Sequence, residues 1–198
     1  MALSARFEEA FVYAAQLHAT QVRKGSQVPY IAHLMAVASL ALEHGADEDE
    51  AIAALLHDAV EDQGGPPTLA AIRQRFGDRV AEIVSGCTDA DSHPKPPWRE
   101  RKETFIRHLP LASRSIRLVA ACDKLHNARA ILLDYRVIGE AVWNRFAGKK
   151  EGTLWYYRTL LDVFKADARD GLIPAPLIDE LERVVVALEA LSAQPAGR

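Results

Sequence analysis

Two cysteines in 198 residues, Cys87 and Cys122, are too few for a disulfide framework, and neither has the paired spacing of a zinc site. They read as buried thiols, the usual place of a free cysteine. No apolar run approaches the ~18 residues that span a bilayer, and the opening stretch MALSARFEEAF turns acidic too early for a signal peptide. A cytoplasmic protein with no membrane partner is expected. Positive charge is not in excess either: 24 Lys and Arg stand against 27 Asp and Glu, a formal net charge of −3. That balance argues against broad affinity for nucleic-acid backbone, which normally leaves a basic surface. Repeats, low-complexity tracts and convincing strand alternation are absent as well. What is present is the apolar-to-charged balance of an ordinary globule, 49% against 26%, at a length suited to one domain. The expected division is a domain over residues 1–191 and a frayed tail over 192–198.

Helical periodicity dominates. Phe7, Ala10, Phe11, Ala14 and Leu17 form a stripe at three-and-four spacing, which predicts a helix from about Arg6 to Val22, broken by RKGSQVP. Pro29 begins a second helix that Gly45 stops, and Asp47 with Glu50 three residues later forms a capping box that opens a third. DQGGPP ends that helix. Thr68 and Asp78 cap the next two, ending near Phe76 and Cys87. Thr88 to Pro97 is a polar loop with three prolines, long enough to be functional. Helices resume at Trp98–Leu109, Ser113–Tyr135, Thr153–Ala168 and Leu177–Leu191, with AGKKEG as a basic link before the third of these.

Within the third helix the stretch ALLHDAVED sets His57, Asp58, Glu61 and Asp62 among Ala53, Ala54, Leu55, Leu56, Ala59 and Val60. Neighbouring His57 and Asp58 project ~100° apart on a helix, so further ligands to a shared ion must come from other helices. Glu61 and Asp62 stand one turn beyond His57 and Asp58. Three acids and an imidazole this close repel and desolvate one another unless a cation or water organises them. His33 in PYIAHLMAVA and Asp123 in LVAACDKLHNAR likewise interrupt apolar helices. A buried Asp123 wants a cation: a metal, or the salt bridge that Lys124 or Arg129 offers.

An N-terminal helix ending in RKG, then PYIAH, LLHDAVED, a TD loop and DKLHNAR together resemble the HD-domain phosphohydrolases. The resemblance runs from about Phe7 to Tyr157 and is most similar to the Rel/Spo-type alarmone hydrolase domains and the stand-alone small alarmone hydrolases. It implies an all-α fold of eight to ten helices around one metal site. The ligands it implies are His33, His57, Asp58 and Asp123, and the catalytic acids Glu61 and Asp62. The ion it implies is Mn²⁺, which suits two imidazoles and two carboxylates, with Zn²⁺ or Fe²⁺ as alternatives. The implied substrate is guanosine tetra- or pentaphosphate, cleaved at the ribose 3′ oxygen to release pyrophosphate. Arg23 and Lys24 fall at the family's RK position near the purine, Tyr30 near the nucleoside and Asn127 near the ribose.

The family's Arg-to-Tyr spacing for the 5′ phosphates is not reproduced in GKKEGTLWYYR. Lys149, Lys150 and Tyr156 are the substitutes available there. Arg99, Arg101 and Lys102 add phosphate contacts or form a solvated face, and Trp143, Trp155, Tyr156 and Tyr157 are expected in the core. The nucleotidyl transferase region of bifunctional relatives has no room in 198 residues, so a hydrolase alone is expected. Two other readings stay open: an HD phosphohydrolase for another nucleotide or phosphate ester, and a non-catalytic helical module that senses a nucleotide. A homo-oligomer is compatible with either.

Overall fold

The computed structural model describes residues 2–89 and 94–193, and these fold into ten α-helices and two 3₁₀ turns. Among them there is no strand, only an isolated antiparallel bridge between Val22 and Pro29, and no helix long and apolar enough to cross a membrane. The all-α expectation holds. The chain divides into two compact units, Met1–Pro96 with Ala112–Cys122, and Pro97–Leu111 with Asp123–Arg198. The first contains α1 (Ala5–Leu17), α2 (Ile31–Glu43), α3 (Glu48–Leu56), α4 (Ala59–Asp62), α5 (Pro66–Phe76) and α6 (Asp78–Cys87). The second contains α7 (Trp98–His108), most of α8 (Arg114–Ile138), α9 (Lys149–Arg169) and α10 (Ala175–Ser192).

In the first unit α3 is the centre, because every residue from Glu50 to Leu56 is buried and a helix apolar all round must be enclosed. Helices α1, α2 and α6 pack on it. Both halves of the capping box at its start are made: Glu50 N donates to Asp47 Oδ1 at 3.0 Å and Asp47 N donates to Glu50 Oε2 at 2.9 Å. The other oxygen of Glu50, a residue 2% exposed, accepts from Arg114 at 2.9 Å and Ser115 at 2.8 Å. A carboxylate so enclosed depends on those donors. Gly45 stops α2 as expected, at φ +81°, and Ala46 N reaches back to Ala41 O at 2.9 Å.

The expected third helix is interrupted. It ends at Leu56, turns through His57 and Asp58, and resumes as α4. The cause is local: His57 Nδ1 donates to Ala54 O at 2.8 Å and competes for the carbonyl that a continuing helix offers to the N–H of Asp58. Asp58 accordingly relaxes to ψ −3°. Other boundaries differ too. Helix α1 stops at Leu17 with His18 as its cap, and α5 is capped by Gly65 and begins at Pro66 with Pro67 beside it in the first turn, so Thr68 lies inside it. Thr68 instead donates from Oγ1 to Gln63 O at 2.7 Å.

In the second unit α9 packs on α10 and α7 over Phe164, Leu160, Leu161, Leu177 and Ile178, all essentially inaccessible. Helix α9 begins at Lys149, so the last four residues of AGKKEG are helical rather than a link, and Gly139–Arg145 forms an unanticipated 3₁₀ turn. Gly148 is required by contact, since a Cβ there would lie 2.6 Å from the ring of Trp98. Trp143, Tyr156 and Tyr157 are buried as expected, and Trp155 is half-buried. Most of the expected tail, residues 194–198, lies outside the described residues, as do residues 90–93 of the proline-bearing loop.

Glu50→Ala leaves Arg114, Ser115 and the N–H of Asp47 without their acceptor, and should cost about 1–3 kcal/mol. Urea unfolding measures it; a midpoint equal to wild type would contradict the role given to this carboxylate.

Candidate metal centre and active site

The side chains His33 from α2, and His57 and Asp58 from the break between α3 and α4, meet at one point. One ligand atom of each lies within 4.8 Å of the other two. His57 Nε2 is 3.0 Å and His33 Nε2 3.4 Å from the same oxygen, Asp58 Oδ2, and both imidazoles are buried. Tyr30 donates its hydroxyl to that oxygen at 2.6 Å. The bond from His57 Nδ1 to Ala54 O commits that nitrogen's proton, because a carbonyl only accepts. A neutral His57 therefore turns an Nε2 lone pair toward a carboxylate oxygen, a repulsive contact unless a cation, metal or proton, lies between them. A second imidazole at the same oxygen, in a group that includes no cysteine among the described residues, makes the donor set fit a divalent metal ion.

Glu61 and Asp62 follow on α4. Burial pushes the Glu61 carboxyl above the ordinary carboxylate range, and the negative charges of Asp89 and Asp58 add to this, against Lys95, whose Nζ lies 2.8 Å from Glu61 Oε1. Asp62 opens to solvent on one side, yet loss of water on the others and the charge of Asp58 push it up too, against a 2.8 Å hydrogen bond from Gln21 Nε2. Gln21 is in turn bonded to Gln63 and to the buried ring of His18, whose pKa burial lowers.

The segment between α1 and α2 carries Arg23, Lys24 and Tyr30. It closes on itself through Arg23 N to Val28 O at 2.8 Å and Tyr30 N to Gln21 O at 2.9 Å. Half-buried Arg23 sits 5.7 Å above the ring of Tyr30, and Lys24 is exposed.

In the second unit Asp123 and Asn127 share a face of α8, with Asn127 Nδ2 donating to Asp123 Oδ1 at 2.5 Å. Lys124 Nζ lies 2.6 Å from Asp123 Oδ2 and 5.1 Å from the ring centre of Phe105. Burial opposes the Lys124 ammonium, but Asp123, Tyr156 and Tyr157 outweigh it and hold its pKa well above the usual lysine value. The salt-bridge partner open in the sequence is thus Lys124, while Arg129 pairs with Glu180 at 3.2 Å. Lys149 is exposed at φ +51°. Lys150 donates to Glu140 at 2.8 Å and to Ser192 O at 2.6 Å, closing the end of α10. Tyr156 is buried under Lys102, 5.1 Å from its ring.

Sequence reasoning missed His18, Gln21, Gln63 and Lys95. The i, i+3 spacing of His18 and Gln21 was the one available signal, and an uncharged amide gives no reason to single it out. Lys95 sits between prolines, where no periodicity reports its direction.

An all-helical unit with a His, His-Asp centre defines a class. Residues 10–153 match the HD domain family, and the chain belongs to that family. Among curated relatives it is 40% identical over 124 residues to the guanosine-3′,5′-bis(diphosphate) 3′-pyrophosphohydrolase MESH1 of Xenopus tropicalis, covering 61% of this chain and 66% of that one. It is 39% identical over 126 residues to a probable GTP pyrophosphokinase of Mycobacterium leprae, covering 63% of this chain but 16% of that protein. The chain thus spans about a sixth of the longer relative and just under two thirds of the shorter. A solved structure described as a metazoan ortholog of SpoT that hydrolyzes ppGpp and plays a role in starvation responses superposes with TM-score 0.75 at 28% identity, over 93% of this chain and 96% of the other.

The raised carboxyls set a sign for stability. A group whose pKa is higher folded than unfolded stabilises the fold below its unfolded pKa, and this is lost as pH rises through the folded value. In chelator-treated protein, Asp62→Asn should therefore melt above wild type near neutral pH, with the gap closing as pH falls through the carboxylate range. Melting curves across pH 4–8 check it; a gap that widens on acidification would contradict the direction.

Proposed function

We propose that this chain is a divalent-metal-dependent phosphohydrolase that cleaves guanosine 3′,5′-bis(diphosphate), and the corresponding pentaphosphate, at the 3′ position, releasing pyrophosphate and GDP or GTP. The observation that carries this reading is the meeting of His33, His57 and Asp58 with Glu61 and Asp62 one turn on. Family membership and the printed activities of MESH1 and the metazoan SpoT ortholog support the choice of substrate. His33, His57 and Asp58 hold the ion, and sequence resemblance assigns Asp123 as a further ligand. The sequence resemblance implies Mn²⁺, and a thiolate-free set of imidazoles and carboxylates accommodates it, as it also accommodates Zn²⁺ or Fe²⁺. When bound, such an ion supplies a Lewis acid for the phosphoryl group and makes nearby water more acidic.

The chain's own residues do the rest. Glu61 and Asp62, with pKa values above the ordinary range, orient the attacking water and accept its proton. Attack of the water oxygen at the phosphorus nearest the ribose breaks the bond from that phosphorus to the 3′ oxygen, which takes back the proton the carboxyl pair has accepted and leaves as the 3′-hydroxyl. Lys95 neutralises Glu61 in the free protein and offers a cation for phosphate. Arg23 stacks on the purine, with Lys24 beside it, and Tyr30 braces Asp58 through its hydroxyl. Asn127 reaches the ribose. Lys149, Lys150 and Tyr156 are the residues proposed for the 5′ phosphates, and Lys149 is the exposed member of the three. The setting proposed is the cytoplasm, as one hydrolase domain.

Mn²⁺-supplied protein should release pyrophosphate from ppGpp, and Asp62→Ala should lower the rate about 10²–10⁴-fold, the scale of a lost general acid or base, while keeping its helical circular dichroism. Turnover of plain nucleotides with ppGpp untouched points to another HD phosphohydrolase. Binding of ppGpp without turnover points to a sensor.

A further inference from the structure

We propose that Gln21 is a positioning residue that selects which oxygen of Asp62 faces the reacting water, with His18 and Gln63 holding Gln21 in place. The inference rests on the hydrolytic role of Asp62 proposed above.

Donor and acceptor logic fixes each link. An ionised carboxylate only accepts hydrogen bonds, so the Gln21 amide must present its NH₂ to Asp62 Oδ2, at 2.8 Å. Its carbonyl oxygen then faces the opposite way, 2.6 Å from Gln63 Nε2 and 2.6 Å from His18 Nδ1. A carbonyl only accepts too, so His18 carries its proton on Nδ1 and a lone pair on Nε2 when neutral. That Nε2 is buried and meets no hydrogen-bond partner among the described residues, so nothing there draws the proton to the other nitrogen.

The support is rigid. His18 is 2% exposed and stacks on Tyr30 with ring centres 5.2 Å apart, and Gln21 N donates to His18 O at 3.0 Å. Gln63 is the residue after Asp62, so one amide oxygen holds the C-terminal end of α4 while the nitrogen of the same amide holds Asp62. The bond at Oδ2 fixes the rotation of the carboxylate, which leaves Oδ1 to take the water. Without Gln21, the charge of Asp58 is free to turn the Asp62 carboxylate away.

Gln21→Met keeps the length of the side chain and removes all three bonds. Steady-state kinetics on Mn²⁺-supplied protein with ppGpp should show kcat down about 10²-fold, the scale of a misplacement of about 1 Å, with KM close to wild type and a melting temperature lowered by the buried His18 N–H left without its acceptor. Gln21→Asn, which draws the amide back by one methylene, should show the same split and replaces the Met variant if that one does not fold. Nitrogen-15 spectra should give wild-type His18 as the Nδ1–H tautomer, a signature lost in Gln21→Met and independent of turnover. An active wild type whose Gln21→Met matches it in kcat, or changes in KM alone, overturns the positioning role and leaves the hydrolase reading standing. An Nε2–H tautomer in wild type overturns it too. A wild type that never cleaves ppGpp, with the Nδ1–H signature present, overturns the hydrolase reading and with it any positioning for this reaction.

Discussion

One carboxylate oxygen, Asp58 Oδ2, gathers a phenol hydroxyl and two imidazole nitrogens within 3.4 Å, and the first unit is arranged so that this convergence can exist. A phenol donates to it readily. The Nε2 of His57 does not, because Ala54 O holds its ring proton on Nδ1, unless a positive charge is supplied. The interior makes the demand sharper, since electrostatic contacts strengthen as water is excluded. The charge balance of the centre, more than any single contact distance, is what points to a metal ion.

The remainder of the first unit reads as scaffolding for that point. Helix α3 is enclosed on every side, so the turn at its C-terminal end is carried on the least movable element. Its N-terminal end is fixed by the capping box and by Arg114 and Ser115 on Glu50. The interruption at His57 and Asp58 then serves two purposes. It takes His57 Nδ1 out of contention by tying it to Ala54 O, and it starts α4 afresh with Glu61 and Asp62. Those carboxylates are placed where burial and like charge raise their pKa, which suits the proton transfer proposed for them.

Much of this was legible in the sequence, where the governing rule is local. The capping box at Asp47 and Glu50, the glycine stop at Gly45 and the apolar stripes follow from backbone geometry over four or five residues. His33, His57, Asp58 and Asp123 stood out because ionisable groups inside apolar helices demand partners. The break after Leu56 did not, because it arises from a side chain competing with the backbone, and periodicity continues across it. The start of α9 at Lys149 was hidden by the glycines around it. Gln21 was hidden for a different reason: its importance lies in which way an amide is turned, and that depends on Asp62 and His18, 41 residues away and three residues away. The match of the HD domain family to residues 10–153 agrees with the motifs that suggested it.

The central claim is that His33, His57 and Asp58 share one divalent cation. Electron paramagnetic resonance of Mn²⁺ tests it without reference to any substrate. Adding one equivalent to wild type should suppress the free-ion signal, and folded His33→Ala and His57→Ala proteins should leave it near its intensity in buffer. Undiminished free-ion signal in wild type, or suppression by both variants as complete as its own, would contradict the claim.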